Sequence, residues 1–140
     1  MPTKTNSADL LIQINLLAAR LSRRAGNRLS MHGLSLTEYL AMHYLGNAPQ
    51  AAVPRIVLAD HLGMSASGVT RLLAPMIKTG LVEKTANPRD ARQSLVSLST
   101  AGQRVLQETE TSFRHIADDL LHGLDSGDRQ TLSRLVTRAG

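Results

Sequence analysis

The feature that most constrains this chain is a pair of short helical segments on either side of Gly63. The first segment covers residues 54–62, and Ser65 then forms an N-cap for a second segment that ends at Gly80. Two short helices joined by a glycine-containing turn of roughly three or four residues are typical of a helix-turn-helix. The apolar residues at helical spacing would pack the two helices together: Leu58, Ala59, Leu62, Val69, Leu72, Leu73 and Met76.

The second of these helices has a polar face at its N-terminal end, where Ser67, Thr70 and Arg71 point away from the apolar positions. Hydroxyl and guanidinium groups there can reach base edges and phosphates in a DNA major groove. The free N–H groups near Ser65 suit a phosphate. We therefore predict DNA contacts at Ser65, Ser67, Thr70 and Arg71, the alternative being a solvated helix face.

Pro75 lies inside the same helix. It removes the hydrogen bond to the Arg71 carbonyl and favours a bend, at about 3 kcal/mol in an unadapted site. The predicted reading residues all precede Pro75, so we expect base reading to survive with an altered aim of the helix in the groove.

Two predicted strands, residues 81–85 and 94–98, follow the helix-turn-helix. A hairpin in this position is a wing. Its turn-rich segment carries Arg89 and Arg92, which suit the negative potential of a DNA minor groove. Asp90 would steady the wing by pairing with Arg92 or by capping the turn. The alternative is an exposed hairpin with solvated charge.

Ser35 and Glu38 have the spacing of a capping box, which predicts a helix that ends near Gly46. The connection that follows contains Pro49. Pro54 suits the first position of the next helix.

Longer apolar stripes flank this region. A first helix is predicted over residues 9–29, and a long helix begins at the N-cap Ser99. A final helix is capped by Asp125 or Ser126. The long helix would carry Val105, Leu106, Phe113, Ile116, Ala117, Leu120, Leu121 and Leu124. The chain is therefore predicted to be mainly α with a small β-wing.

Composition narrows the function classes. The 140 residues fit one domain, and 2% aromatic residues leave few platforms for stacking single-stranded bases. The absence of cysteine excludes disulfides and thiolate zinc sites. No stretch is long and apolar enough for a membrane span, and the polar N-terminus lacks a signal core, so a cytoplasmic location is expected.

Charge and catalytic motifs point the same way. The formal net charge is +5, divided as +3 in residues 1–54, +3 in 55–92 and −1 in 93–140. The basic middle suits a polyanion, although ordinary solubilising charge is an equal alternative. No phosphate loop, activated serine or paired-carboxylate motif is present, so we predict neither an enzyme nor a cofactor. A surface ion-pair cluster, rather than a metal site, is predicted for His115, Asp118, Asp119 and His122.

Five stretches of the chain follow one pattern: Leu58-Ala59-Asp60-His61-Leu62-Gly63-Met64-Ser65, Val69-Thr70-Arg71-Leu72-Leu73, Gly80-Leu81-Val82-Glu83, Asn87-Pro88-Arg89-Asp90-Ala91-Arg92 and Leu98-Ser99-Thr100-Ala101-Gly102. Together they resemble the MarR family of regulators. The departures from the family pattern are Pro75, Asn87 where the wing often has Asp, and Gln93 after the wing arginine.

The resemblance implies a homodimer that grips a pseudo-palindrome in double-stranded DNA. Residues 9–34 and 99–140 would form dimerisation helices, and residues 35–98 the winged helix-turn-helix. A small winged domain also cannot bury every apolar stripe of long flanking helices, which independently favours pairing. The predicted interface residues are Leu10, Leu11, Ile14, Leu120, Leu121, Leu124, Leu132 and Leu135, with an intrachain core as the alternative for Leu120, Leu121 and Leu124.

The resemblance further implies a small aromatic or anionic effector bound between the dimer helices and the winged domain. Candidate residues are Arg20, Arg24, His32, Tyr39 and His43, the alternative being a polar rim with interhelical hydrogen bonds. The function expected is that of a sequence-specific regulator, a repressor that a ligand releases. Two other classes stay open: a winged-helix module that docks an acidic protein, and a small-molecule or metal sensor without DNA activity.

Overall fold

The structure, a computed structural model, describes residues 5–48 and 50–140. Pro49 of the predicted connection and the first four residues lie outside this range. Within it the chain is mainly helical with one small sheet, which confirms the predicted fold class. The elements are α1 (Ser7–Leu29), a 3-10 turn (Ser30–His32), α2 (Leu36–Asn47), β1 (Val53–Pro54), α3 (Arg55–Leu62), α4 (Ala66–Lys78), β2 (Val82–Asn87), β3 (Asp90–Leu98), α5 (Thr100–Leu120) and α6 (Ser126–Ala139).

Local capping signals set where helices begin. The Ser35 hydroxyl accepts from the Glu38 backbone N–H at 3.1 Å, and the Glu38 carboxylate accepts from the Ser35 N–H at 2.9 Å. The same reciprocal pair joins Asp125 and Asp128, so Asp125 rather than Ser126 caps α6. Each pair satisfies two of the N–H groups that a helix start leaves free.

The sheet has three strands in the order β1-β3-β2, all antiparallel, where the sequence predicted two. The additional strand, β1, pairs Val53 with Val96 and Pro54 with Leu95. Pro54 was predicted as the first residue of α3, but it is the extended N-cap residue of that helix. Pro54 pairs with Leu95 in strand β1, which lies at the edge of the sheet. A proline, which has no backbone N–H, is tolerated in an edge strand.

The wing hairpin is longer than predicted. Ala86 pairs with Ser94 and Asn87 with Asp90, so strand pairing continues almost to the tip and only Pro88 and Arg89 connect the strands. The expected eight-residue turn over 86–93 was therefore wrong. A register shift between Ala86 and Asn87 absorbs the extra residues of β3, because a bulge lets one strand carry more residues than its partner.

The long helix α5 ends at Leu120, so the prediction that it carries Leu121 and Leu124 was wrong. Leu121 is its C-cap residue. Arg129 of α6 donates to the Leu121 carbonyl at 3.1 Å and to the Leu124 carbonyl at 3.0 Å. These side-chain hydrogen bonds satisfy carbonyls that a longer α5 would have paired within the helix. The chain then turns, and Asp125 caps α6.

One core joins α2, α3, α4, α5, the sheet and the C-terminal end of α1. In α1 only Ala25 and Leu29 are buried, and α6 has no buried residue. None of the helices in the described part of the chain is long and apolar enough to cross a membrane. The most completely buried large side chains are Leu29, Met42, Leu58, Leu73, Met76, Val69, Val82 and Val96.

Candidate DNA interface

Gly63 sets the angle between α3 and α4. Its backbone is left-handed, with φ 65° and ψ 32°, and it accommodates the Met64 N–H bond to the Ala59 carbonyl at 2.9 Å. Glycine adopts this conformation without the steric penalty of a side chain. The turn therefore fixes how α4 is presented on the surface.

Helix α4 has one buried and one exposed face. Val69, Leu73 and Met76 are almost fully buried, whereas the side chains on the opposite face at the N-terminal end are exposed: Ser65, Ser67, Thr70 and Arg71. The Ser65 hydroxyl accepts from the Gly68 N–H at 3.1 Å and lies 3.3 Å from the Ser67 hydroxyl. All four predicted contact residues thus share one accessible surface that hydrogen-bond acceptors can reach.

Pro75 lies on the exposed side of α4, and the helix continues past it to Lys78. The Thr79 hydroxyl donates to the Pro75 carbonyl at 3.0 Å and holds the end of the helix. The Arg71 carbonyl still lacks the helical donor that Pro75 cannot supply. The residues predicted to read DNA all precede this point.

Short polar contacts order the wing tip. The Asp90 carboxylate accepts from the Arg92 N–H at 3.0 Å, and the Asn87 side-chain oxygen accepts from the Arg89 N–H at 3.0 Å. The Asn87 amide also donates to the Gln93 side-chain oxygen at 3.3 Å. The two wing residues that depart from the family pattern therefore contact each other, while the Arg92 side chain stays 95% exposed.

Arg55 is a basic residue that the sequence did not single out. Its Nε donates to the Ser94 hydroxyl on β3 at 2.9 Å. Because Arg55 and Ser94 lie 39 residues apart in the sequence, no local sequence pattern predicts their contact.

His61 lies near the end of α3, shortly before the turn, and is exposed. Its ring stacks on Tyr44 of α2, with centroids 4.1 Å apart and planes 23° apart. The stack braces the first helix of the helix-turn-helix against α2.

Of the five candidate effector residues, the structure brings Tyr39 and His43 together. They line a cavity of about 300 Å³ between α2 and α5, whose other lining residues are Leu40, Glu110, Phe113 and Arg114. The Tyr39 and Phe113 rings stack with centroids 4.3 Å apart. Burial, and next the negative charge of Glu110, raise the pKa of Tyr39 above its ordinary value.

The other three candidates lie elsewhere. Arg20 and Arg24 are exposed on α1 and do not line this cavity. His32 lies 3.0 Å from the Ser112 hydroxyl, a contact that joins the 3-10 turn to α5. The sequence missed Glu110, Phe113 and Arg114, because nothing local indicates which face of α5 lies against α2.

Two acidic residues near the end of α5 form ion pairs with arginines of the neighbouring helices. Asp119 lies 2.6 Å from Arg28 of α1, and Asp118 lies 3.2 Å from Arg129 of α6. The described residues contain no group of three or more His, Cys, Asp and Glu side chains that could hold a metal ion. Of the predicted cluster, Asp118 and Asp119 form ion pairs, whereas the ion pairs found among the described residues include neither His115 nor His122.

The predicted interface residues divide into two sets. Five large apolar side chains are 42–62% exposed: Leu10, Leu11, Ile14, Leu132 and Leu135. The other three are half-buried: Leu120, Leu121 and Leu124. Leu120 packs on the core of its own chain, as the alternative interpretation of the sequence allowed.

The family model and the related proteins that this chain matches agree with each other. Residues 32–93 match the family model described as "MarR family". An HTH-type transcriptional regulator of Mycobacterium bovis is 27% identical over 127 residues, which cover 91% of this chain and 87% of that protein.

Solved structures extend the likeness beyond the matched region. A probable transcriptional regulator from Pseudomonas aeruginosa has a TM-score of 0.79 and 28% identity, over 94% of this chain and 99% of that one. A MarR mutant from E. coli complexed with operator DNA has a TM-score of 0.82 at 21% identity, over 96% of this chain and 99% of that one. With its helix-turn-helix, wing and flanking helices, the chain is similar to winged helix-turn-helix transcriptional regulators of the MarR family, and its residues 32–93 match the model of that family.

Proposed function

We propose that this chain binds a pseudo-palindrome in double-stranded DNA as a homodimer and represses transcription until a small molecule releases it. The observation that carries the proposal is the exposed polar face of α4, held beside a wing whose two arginines project into solvent. Arg71 would fork onto a base edge or a phosphate in the major groove, and Arg89 and Arg92 would enter the minor groove. The E. coli MarR mutant of the same fold was solved with operator DNA.

Selection of bound sequences from random duplex DNA tests DNA recognition directly. We expect an inverted repeat whose half-sites lie about one helical turn, roughly 10 base pairs, apart. Arg71→Ala and Arg92→Ala should each weaken operator binding at fixed salt. Arg138→Ala, at the far end of α6, removes the same charge as a control. Unchanged operator binding by both variants would rule out this interface.

The dimer part of the proposal is supported by exposed apolar side chains at both ends of the chain. Leu11 is 62% exposed, Leu135 is 45% exposed and Val136 is 62% exposed. Leaving such a surface in water is unfavourable, and a symmetric partner covers it with the same residues. Leu135→Asp should shift the sedimentation mass to that of a monomer. Met31→Asp, at an 89% exposed position outside α1 and α6, should not.

The effector part of the proposal is supported by the cavity between α2 and α5. Its stacked Tyr39 and Phe113 rings suit an aromatic ligand, and the Arg114 side chain on its wall suits an anionic group. Benzoate is a suitable probe. It should raise the melting temperature of the protein and weaken operator binding, and Arg114→Ala should reduce both effects.

The competing functions give different outcomes. A winged-helix module that docks an acidic protein would bind operator and random DNA equally weakly. A sensor without DNA activity would bind the probe and shift no DNA. The polar face of α4 and the ordered wing favour the regulator, since neither alternative needs both.

A further inference from the structure

The Arg55 guanidinium is held in place without an acidic partner. Its Nε donates to the Ser94 hydroxyl at 2.9 Å, and its residue is half-buried. The ion pairs found among the described residues involve Arg28, Arg92 and Arg129, and none involves Arg55. A guanidinium carries five N–H donors, so the hydrogen bond to Ser94 leaves the two terminal nitrogens available.

The contact lies on the helix-facing side of the wing. Val82 opposes Leu98, and both are buried under the helices. Directly opposed residues share one face of a sheet, and alternate residues return to it. The next opposed pairs, Lys84 with Val96 and Ala86 with Ser94, therefore lie on the same face. Beyond Val96 this face extends past the core, and Arg55 reaches it from the start of α3.

The exposed end of this face is basic and concave. A hollow of about 280 Å³ lies along these strands, and Arg55 donates to Ser94, which is one of its lining residues. The hollow is lined by Lys84, Thr85, Ala86, Ala91, Arg92, Gln93 and Ser94. A half-buried guanidinium keeps contact with water, and its free N–H donors stay open to an anion. The planar guanidinium fork matches the oxygen atoms of a phosphate better than a lysine does. The described part of the chain places no carboxylate within salt-bridge distance of Arg55, so no residue described there occupies its free donors as an ion-pair partner.

We infer that Arg55 is a further DNA-backbone contact, oriented by Ser94, which binds a phosphodiester that passes between α4 and the wing. The inference rests on the proposed DNA binding and adds a residue to it. Arg55 lies outside both predicted reading elements, and its role is sequence-independent. Phosphate contacts position a protein on the duplex, whereas base contacts specify the sequence.

The salt dependence of binding tests this role. Arg55→Gln should weaken binding to operator and to random duplex by the same factor, roughly tenfold at 0.1 M salt for each phosphate that is no longer bound. The slope of log K against log salt should fall by about 0.9 for each bound protomer. Ser94→Ala keeps the charge of Arg55 and removes only the hydrogen bond that orients it. DNA affinity should therefore fall less than in Arg55→Gln, and the salt slope should stay unchanged. Arg138→Gln, with its sedimentation mass measured to verify that the oligomeric state is that of the wild type, is the control for general loss of charge.

The outcomes separate the inference from the proposed function. Failure of the wild-type protein to bind duplex DNA would overturn the proposed function itself. Wild-type binding together with an unchanged slope in Arg55→Gln would overturn only the role of Arg55. A lower melting temperature with that unchanged slope would assign Arg55 a structural role in tying β3 to α3, which also overturns the inference. A uniform loss of affinity with the reduced slope supports it.

Discussion

The Asp90 carboxylate holds Arg92 at two points, since its Oδ1 lies 3.0 Å from the Arg92 backbone nitrogen and 3.7 Å from the Arg92 Nε. The backbone contact shapes the wing near its tip. The ion pair is exposed and contributes little to stability. Arg92 is therefore positioned mainly by the hydrogen bond from its backbone N–H to Asp90.

Replacing Asp90 should separate the two contacts. Asp90→Asn keeps an oxygen that can accept the backbone N–H, so operator affinity should stay near the wild-type value. Asp90→Ala removes the acceptor, and operator affinity should fall several-fold while the free energy of unfolding changes by less than about 0.5 kcal/mol. Gel shifts at fixed salt and urea unfolding measure the two quantities. An equal loss of affinity in Asp90→Asn and Asp90→Ala would show that the charge, not the backbone contact, matters.

Ser99 joins the end of α4 to the start of α5. Its hydroxyl donates to the Gly80 carbonyl, lies 3.1 Å from the Leu81 carbonyl, and accepts from the Gly102 N–H at 2.9 Å. Ser99→Ala should lower the free energy of unfolding by about 2 kcal/mol, because the Gly102 N–H and a partly buried carbonyl are both left without a partner. Ser126→Ala, at an exposed position, should change it by less than about 0.5 kcal/mol. Equal effects would contradict this role of Ser99.

Gly102 packs against the backbone of the preceding loop. A Cβ at this position would overlap the Leu81 carbonyl oxygen and lie 3.1 Å from Leu98 Cδ2. Gly102→Ala should therefore destabilise the fold by about 3 kcal/mol, since backbone cannot move aside cheaply. Gly123→Ala is the matched control, because no atom lies within 4 Å of its Cβ. Thermal unfolding should show a stable Gly123→Ala protein, and a harmless Gly102→Ala would contradict the close approach.

The sequence predicted best what is decided locally. The Ser35–Glu38 capping box and the cap at Ser99 depend on residues within one turn, and both were identified with the helices that they begin. The exposed face of α4 also followed from helical spacing alone. These elements were enough to indicate the fold and the main candidate surface.

Contacts between distant segments were not predictable in this way. Strand β1 forms where Val53 pairs with Val96. It has only two residues, which is too short for the alternating pattern by which a strand is recognised in a sequence. The end of α5 depends on Arg129, which reaches back to carbonyls of the preceding turn. Arg55 and Ser94 likewise meet only after the sheet forms. Of the residues that line the cavity between α2 and α5, the sequence singled out Tyr39 and His43 on α2, whereas the residues from α5 depend on how the two helices pack.

The raised pKa of Tyr39 predicts a dependence of stability on alkaline pH. Burial, and next the charge of Glu110, disfavour the phenolate in the folded protein, while the unfolded chain ionises near the ordinary value of 10.0. This contribution is present in full below pH 10.0 and is lost as the pH rises through the higher folded-state pKa. Tyr39→Phe should weaken that loss above pH 10.0 in urea unfolding. Identical profiles for both proteins would contradict the shift.

Pro75 gives a prediction that links stability to recognition. Pro75→Ala supplies the N–H that the Arg71 carbonyl lacks and removes no buried side chain, because Pro75 is exposed. We expect a gain of about 1–2 kcal/mol in the free energy of unfolding, since the helical hydrogen bond outweighs the reduced rigidity of the unfolded chain. Pro54→Ala should reduce the free energy of unfolding by about 0.4–1 kcal/mol, because the φ of −62° there already suits proline.

The same Pro75→Ala protein tests the aim of α4. If the proline bends the helix, removing it should change the sequences selected from random duplex DNA and leave the salt slope intact, because the phosphate contacts stay in place. Unfolding in urea and repeated selection with both proteins measure the two effects. A destabilised Pro75→Ala would contradict the missing hydrogen bond, and an unchanged selected sequence would show that Pro75 leaves the reading residues where an unbent helix would hold them.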